Sequence, residues 1–113
     1  MRVAGLGMDD IEAIKQLKAR YFRLMDTKDW EAFGSVFAEE ATMRNSPDPK
    51  EVFEGRSDIV AKVSAALLEA VTVHHGHTPE ITLTSDTTAT GIWAMDDFVD
   101  LPQLVLHGWG HYH

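Results

Sequence analysis

The sequence contains no cysteine, so disulfide bonds, thiolate-bound metals and a thiol nucleophile are all excluded. It also lacks any apolar run approaching the roughly 20 residues that a membrane span requires. Basic residues are few, and the formal net charge is −8. An acidic chain without a lysine or arginine cluster repels phosphate backbones. We therefore expect a cytoplasmic protein that binds neither nucleic acid nor membranes.

The apolar content is sufficient for one core. With 113 residues, of which 44% are hydrophobic, the chain is long enough for a single domain and too short for two. Three helices are predicted, all in the N-terminal part of the chain. Apolar residues recur at helical spacing over 9–25, with Lys15 and Lys18 on the opposite side. Asp29 is a good N-cap for a short second helix, and Ser57 for a third.

Strand signals dominate the rest of the chain. A short strand is predicted at 41–44, and three longer runs rich in β-branched and aromatic residues follow at 71–83, 87–98 and 104–112. Three helices and one early strand, followed by a run of antiparallel strands, predict an α+β architecture with the helices on one face of a curved sheet.

The segment 73–81 contains three imidazoles inside an otherwise apolar strand. A buried imidazole needs hydrogen-bond partners, and histidine has the unperturbed pKa nearest neutrality. His74 has one strand parity, whereas His75 and His77 have the other, and we interpret that second pair as structural. From the residues alone, a core histidine bonded to backbone is the commoner interpretation of His74.

Several other polar residues could share a cavity with an imidazole. Alternation in the second long strand puts Trp93, Met95 and Asp97 on one side. Tyr21 lies within the apolar stripe of the first helix, and Asp26 lies at its edge. An imidazole, a phenol and carboxylates suit elimination or isomerisation next to a carbonyl. Each acid could equally be a helix-end or turn residue.

The histidines near the C-terminus raise the question of a metal site. His111 and His113 share a strand face, and His107 could join them. Alternating histidines on an exposed face are common, and no carboxylate is spaced to complete a site. We therefore predict no metal and no cofactor.

Motifs spread over nearly the whole chain from Ile11 are similar to those of a known family. Beyond the first helix they lie in the segments Phe53–Arg56, His74–Ile81 and Thr88–Trp93. The chain resembles SnoaL-like proteins of the nuclear transport factor 2-like superfamily. In motif it is most similar to bile acid 7α-dehydratase and, more distantly, to scytalone dehydratase. The resemblance implies a cone-shaped fold with a deep apolar pocket between the sheet and the helices.

The resemblance also implies an activity, that of a cofactor-free dehydratase acting on a hydrophobic, steroid-like or polyketide-like hydroxy-carbonyl compound. Its functional residues correspond to Tyr21, Asp26, His74 and Asp97. In this hypothesis His74 is the general acid and base, paired with Asp26 or Asp97. The expected substrate-binding side chains are Leu17, Phe22, Trp93, Met95 and Tyr112.

Two other functions stay open. One is a ketosteroid-isomerase-like or polyketide-cyclase-like enzyme, which would use an acid as its main base. The other is a non-catalytic binding or assembly module. The fold leads us to expect a homodimer or homotrimer. Relatives continue into a further strand carrying a pocket arginine, so a single domain over 1–113, truncated at its C-terminus and short of an edge strand, is expected.

Overall fold

The longest helix, α1, spans Leu6–Asp26 and packs on the first strand of the main sheet. The computed structural model describes residues 6–113, with side chains from Asp9 onward. The amphipathic pattern buries Phe22, Leu24 and Met25. The helix that was predicted over 9–25 is therefore present.

A tight turn ends α1 and leads into the next helix. The Asp29 N–H donates to the Leu24 carbonyl at 3.0 Å, and the Lys28 N–H donates to the Met25 carbonyl at 3.1 Å. Lys28 has φ 60. This pattern is a Schellman motif, which satisfies carbonyls that would otherwise lack partners at the helix end. It reverses the chain immediately after Asp26.

Two shorter helices complete the helical layer. Helix α2, Trp30–Gly34, begins after Asp29, whose Oδ1 accepts the third residue's N–H at 3.2 Å, as predicted. Helix α3, Arg56–Ala66, follows Gly55, which has φ 93 and provides no side-chain cap. The prediction that Ser57 caps α3 is wrong, because Ser57 lies inside the helix.

Two side chains near the start of α3 form hydrogen bonds to backbone outside the helix. The Arg56 Nε and Nη2 atoms donate to the Phe37 carbonyl at 2.9 and 2.6 Å. Asp58 Oδ2 accepts the Lys62 ammonium at 3.1 Å and the Glu54 N–H at 3.0 Å. These bonds, the one from Lys62 foremost, lower the pKa of Asp58.

Within residues 6–113, five strands form two antiparallel sheets. Strands β1, Thr42–Arg44, and β2, Val52–Glu54, form a two-stranded ribbon, and β2 was not predicted. Strands β3, Val71–Leu83, β4, Ala89–Leu101, and β5, Leu104–Tyr112, form the main sheet in the order β3-β4-β5. The predicted α+β architecture is confirmed.

The strand register determines which residues face the helices. His74 pairs with Asp97, and Trp93 pairs with Tyr112. Trp93 and Asp97 are four residues apart on β4, so all four side chains share one face, which we call the inner face. The neighbouring residues of opposite parity form the outer face.

Two glycines allow aromatic rings to lie against the strand backbone. A Cβ on Gly76 would lie 2.7 Å from Phe22 Cε2, and one on Gly91 would lie 2.5 Å from Trp93 Cζ3. Just beyond Gly76 the register shifts, and Thr78 adopts φ 44. Such a bulge bends a strand and increases its twist.

The core lies between the helices and the inner face. Its buried cluster comprises Phe22, Leu24, Met25, Phe33, Ile59 and Val63. Phe33 and Ile59 are completely buried. None of the helices within residues 6–113 has the length and hydropathy that a membrane crossing requires.

Candidate functional site

The carboxylate of Asp26 joins the end of α1 to β3. It accepts three hydrogen bonds: Oδ1 from the Thr72 hydroxyl at 2.8 Å, Oδ2 from the His74 N–H at 2.9 Å, and Oδ1 from His74 Nδ1 at 2.6 Å. A carboxylate can only accept, so Nδ1 of His74 carries the proton. The opposite nitrogen, Nε2, is then the atom with a free lone pair.

The His74 ring lies at the boundary between the protein and its cavities. Its side chain is 10% exposed. It lines one cavity of about 520 Å³ and another of about 360 Å³. Within residues 9–113, Nε2 has no hydrogen-bond partner. The ring is thus fixed on one side by Asp26 and accessible on the other, which is the arrangement that proton transfer to a ligand requires.

Asp97 forms a second pair, and its partner is Tyr112 rather than His74. The Tyr112 hydroxyl donates to Asp97 Oδ2, and the His75 N–H donates to Oδ1 at 3.3 Å. Burial and the hydrogen bond to Asp97 raise the pKa of Tyr112. The structure therefore separates the two acids, and Asp26 is the one that holds the imidazole.

The Tyr21 ring lies among other aromatic rings. Its ring centroid is 5.3 Å from that of Phe22, 5.6 Å from Phe33 and 6.0 Å from Phe37. Burial, together with the charge of Asp97, raises its pKa to about 12, so the phenol keeps its proton at neutral pH. Its hydroxyl binds no acceptor in the described part of the chain, and Tyr21 lines cavities of about 610 and 360 Å³. It can donate to a ligand.

Lys18 lies on a different side of α1 from the one that the sequence predicted. Predicted on the polar side of α1, it instead places its ammonium among four aromatic rings. The Nζ atom lies 4.3 Å from the Tyr21 ring centroid and 4.4 Å from that of Tyr112. The Phe22 and Trp93 centroids are 5.2 and 5.4 Å away. Such contacts stabilise a cation through the ring quadrupoles.

The environment of Lys18 makes it an unusual amine. Burial lowers its pKa to about 8, although the charge of Asp97 opposes the shift. No carboxylate within residues 9–113 forms an ion pair with it. The sequence does indicate this position of Lys18, because residues four and eight positions apart share a helix face. Phe22 and Asp26 follow Lys18 at those intervals.

The predicted substrate-binding side chains are distributed over three cavities. Phe22 and Trp93 line the 520 Å³ cavity together with Lys18, Asp26 and His74. Leu17, Trp93 and Tyr112 line the 610 Å³ cavity, which Lys18 and Tyr21 also line. Met95 and Tyr112 line the 360 Å³ cavity with His74 and Asp97. Lys18 and Trp93 border the two larger cavities, and His74 borders the first and third.

The side chains of the other histidines lie outside the hydrogen-bond network of the Asp26 and Asp97 side chains, although His75, His111 and His113 contribute to the cavity walls. His75 and His77 have the opposite strand parity to His74, as predicted, and the structure exposes them on the outer face. His107 binds Asp96 through Nε2 at 2.7 Å. Among the described residues, His111 and His113 join no group of potential metal ligands.

A profile of the SnoaL-like domain matches residues 7–113. The chain belongs to the SnoaL-like domain family. The family that the motifs of this SnoaL-like protein suggested is therefore confirmed.

Solved structures superpose on the SnoaL-like chain over most of its length. A candidate aromatic ring hydroxylase from Novosphingobium aromaticivorans has a TM-score of 0.85 at 20% identity, covering 93% of this chain and 76% of that one. A candidate scytalone dehydratase from the same organism has a TM-score of 0.79 at 17% identity, covering 93% and 74%. An NTF2-like protein with a cystatin-like fold, also from that organism, has a TM-score of 0.72 at 24% identity, covering 88% and 66%. Identities this low establish the fold alone.

Membership of the SnoaL-like family and the cavities on the inner face together support an enzyme that processes small molecules.

Proposed function

We propose that this SnoaL-like protein is a cofactor-free dehydratase, a carbon–oxygen lyase that removes water from a hydrophobic β-hydroxy carbonyl compound. The observation that carries the proposal is the bond from His74 Nδ1 to Asp26 at 2.6 Å, which leaves Nε2 available to a ligand in the cavity. A fixed imidazole with one free nitrogen is a general acid and base suited to neutral pH.

The reaction proceeds as an elimination. Nε2 of His74 takes the proton from the carbon next to the carbonyl, and the electrons of that C–H bond move into an enolate. When the enolate collapses, the C–O bond to the β-hydroxyl breaks, and the imidazolium gives its proton to the departing oxygen. The products are an α,β-unsaturated carbonyl compound and water, and His74 returns to its starting state. Asp26 stabilises the imidazolium in between.

Tyr21 and Lys18 are the proposed groups that stabilise the enolate oxygen. The Tyr21 hydroxyl has no protein acceptor within the described residues and keeps its proton at neutral pH. The Lys18 ammonium lies 4.3 Å from the Tyr21 ring centroid and supplies positive charge in a half-buried setting. Preorganised donors aimed at a developing oxyanion are usually the largest single contribution to such catalysis.

The hydrogen bonds of the two acids favour a dehydratase over an isomerase or cyclase that uses a carboxylate as base. Asp26 already accepts three hydrogen bonds. Asp97 accepts two, from Tyr112 and from the His75 N–H. Each of these donors would have to be displaced or weakened before the carboxylate could take a proton from carbon, whereas Nε2 of His74 needs no such change.

The lining of the cavities supports a flat, apolar substrate. Phe22 and Trp93 supply aromatic surface beside His74, and the adjoining cavity adds Leu17 and Val36. Volumes of about 520 and 610 Å³ suit a ligand of several fused rings. We therefore propose a steroid-like or polyketide-like substrate, and place the chain nearest the bile acid 7α-dehydratase branch on its motifs.

The test is a panel of β-hydroxy ketones, comprising hydroxylated 3-oxo steroids and aromatic polyketide alcohols. Formation of the conjugated product is followed by absorbance, and loss of one water is followed by mass spectrometry. His74→Gln should abolish turnover while the melting temperature shows that the variant stays folded. Double-bond migration without loss of water would replace the dehydratase with an isomerase. Undiminished dehydration by folded His74→Gln would remove the role of His74.

A further inference from the structure

A cluster of potential metal ligands lies on the outer face, on the opposite side of the sheet from the site described above. It consists of His75 and His77 of β3 and Asp96 of β4, and we call it the outer cluster. One ligand atom from each of the three residues lies within 4.8 Å of the others. His75 and Asp96 are directly paired across the strands, and His77 is two residues along on the same face.

The two imidazoles of the outer cluster are free to bind an ion. Both histidines are exposed, and their ring centroids are 5.6 Å apart. Within residues 9–113, no hydrogen bond engages a ring nitrogen of either histidine, and the bond from His75 to Asp97 uses the backbone N–H. Their lone pairs are therefore available to solution, where a protein with a formal charge of −8 attracts cations.

A fourth residue supports the carboxylate. His107 of β5 contacts Asp96 Oδ1 through Nε2 at 2.7 Å. The His107 ring in turn packs against Trp109, with the centroids 4.3 Å apart. Carboxylates that bind metals are commonly hydrogen-bonded by a second group, which fixes their orientation. Asp96 thus has a support on β5 and two candidate co-ligands on β3.

We infer that the outer cluster is a binding site for a divalent transition-metal ion of the zinc type, with His75, His77 and Asp96 as ligands and His107 orienting the carboxylate. Two imidazoles and one carboxylate form a donor set that suits Zn²⁺, and three protein ligands leave a fourth position for water.

Small side-chain movements would close the site. A zinc ion about 2.1 Å from each ligand in a tetrahedron requires ligand atoms about 3.4 Å apart. Exposed imidazoles on a strand can rotate by that amount, while the paired backbone of β3 and β4 stays in place. Because the ion would cross-link these two strands, its binding should stabilise the folded sheet.

The experiment uses the full chain without an affinity tag, treated with a chelator and then titrated with ZnCl₂ in a calorimeter at neutral pH. We expect one ion per chain and a rise in melting temperature. His77→Ala and Asp96→Asn should each weaken binding by about tenfold or more, because removing a ligand costs at least as much as removing a supporting residue. The matched control is His113→Ala, which removes an imidazole outside the cluster and should leave the affinity unchanged.

Binding that is unaffected by both His77→Ala and Asp96→Asn would overturn the inference, as would the absence of heat at millimolar zinc. An equal loss in His113→Ala would also overturn it, since the ion would then bind histidines without selectivity. Near-ultraviolet circular dichroism of each variant shows whether the sheet is intact. None of these results depends on the proposed dehydratase activity.

Discussion

The carboxylate of Asp26 binds His74 twice, at the ring Nδ1 with 2.6 Å and at the backbone N–H with 2.9 Å. The orientation of the imidazole is therefore coupled to the position of β3 against the end of α1. A movement of the helix end would shift the ring and its strand together.

Replacing the carboxylate of Asp26 by an amide should separate folding from catalysis. In Asp26→Asn the side-chain NH₂ can face Nδ1, which favours the tautomer with the proton on Nε2 and removes the base. We expect a fall in kcat/KM of about a hundredfold or more in a folded protein. Nitrogen-15 NMR of the His74 ring would show the tautomer directly.

Thr72→Val is the matched control for Asp26. It removes one hydrogen bond to the same carboxylate and leaves the bond to the His74 ring. We expect a loss of about 1 kcal/mol in stability and less than a tenfold change in rate. A rate as low as that of Asp26→Asn would show that the whole hydrogen-bond network, rather than the bond to the ring, determines activity.

Removal of the hydroxyl should affect activity at Tyr21 and stability at Tyr112. Tyr21→Phe breaks no hydrogen bond among the described residues, so stability should hold while kcat falls about a hundredfold. Tyr112→Phe removes a donor from Asp97, so the free energy of unfolding should fall by about 1–3 kcal/mol. Chemical denaturation and steady-state kinetics on both variants check this. Similar destabilisation in both would contradict the assignment of the free hydroxyl to Tyr21.

Lys18→Met should lower activity and raise the melting temperature. The folded pKa of about 8 lies below the ordinary 10.5, so folding disfavours the ammonium form. Between these two values the unfolded chain binds the proton and the folded chain does not, so the stability of the parent protein rises with pH across that window. In Lys18→Met, which has no titrating amine at this position, the stability should not show this rise with pH.

The activity of the parent protein should decline as the pH rises through about 8, where the Lys18 ammonium loses its proton. Lys18→Arg, which keeps its charge at that pH, should remove this limb of the profile. A decline that persists in Lys18→Arg would assign the titration to another group.

Gly76→Ala should destabilise the protein by about 1–3 kcal/mol, because the new methyl group overlaps the Phe22 ring in a packed region. Gly108→Ala is the control, since its Cβ would meet only the flexible end of Met95 at 3.4 Å. Thermal unfolding of the two variants makes the comparison. Equal stability would mean that the Phe22 ring can move aside.

Elements with several turns or alternations were predictable from the sequence, and the short elements α2 and β1 were predicted as well, whereas β2 was not. Helix α1 and the three long strands each contain enough residues for a period to emerge. Strand β2 has only three residues, too few for alternation to be seen. Ser57 is an ordinary capping residue by type, but α3 begins one residue earlier, after Gly55, and Ser57 therefore lies inside the helix.

The hydrogen-bond partners of His74 and Asp97 depend on the tertiary structure, which the pattern of residues along the sequence does not contain. The family resemblance suggested His74 with either of two acids, and the choice between them depends on where α1 ends relative to β3. The partnership of Asp97 with Tyr112 depends on the register of β5. Lys18 was misplaced because an amphipathic pattern assigns every charge to the solvent side, whereas a long lysine stem can turn its ammonium onto aromatic faces.

The width of the cavity beside His74 depends on Gly76 and Gly91, because each has a hydrogen atom where other residues have a side chain. With these positions empty, Phe22 and Trp93 lie close against the strands, and space remains between them and the imidazole. A larger residue at either position would push an aromatic ring toward the reacting atoms and leave the acid–base pair untouched. Substitutions at these two positions in relatives would therefore change the width of the substrate that fits and leave the acid–base chemistry the same.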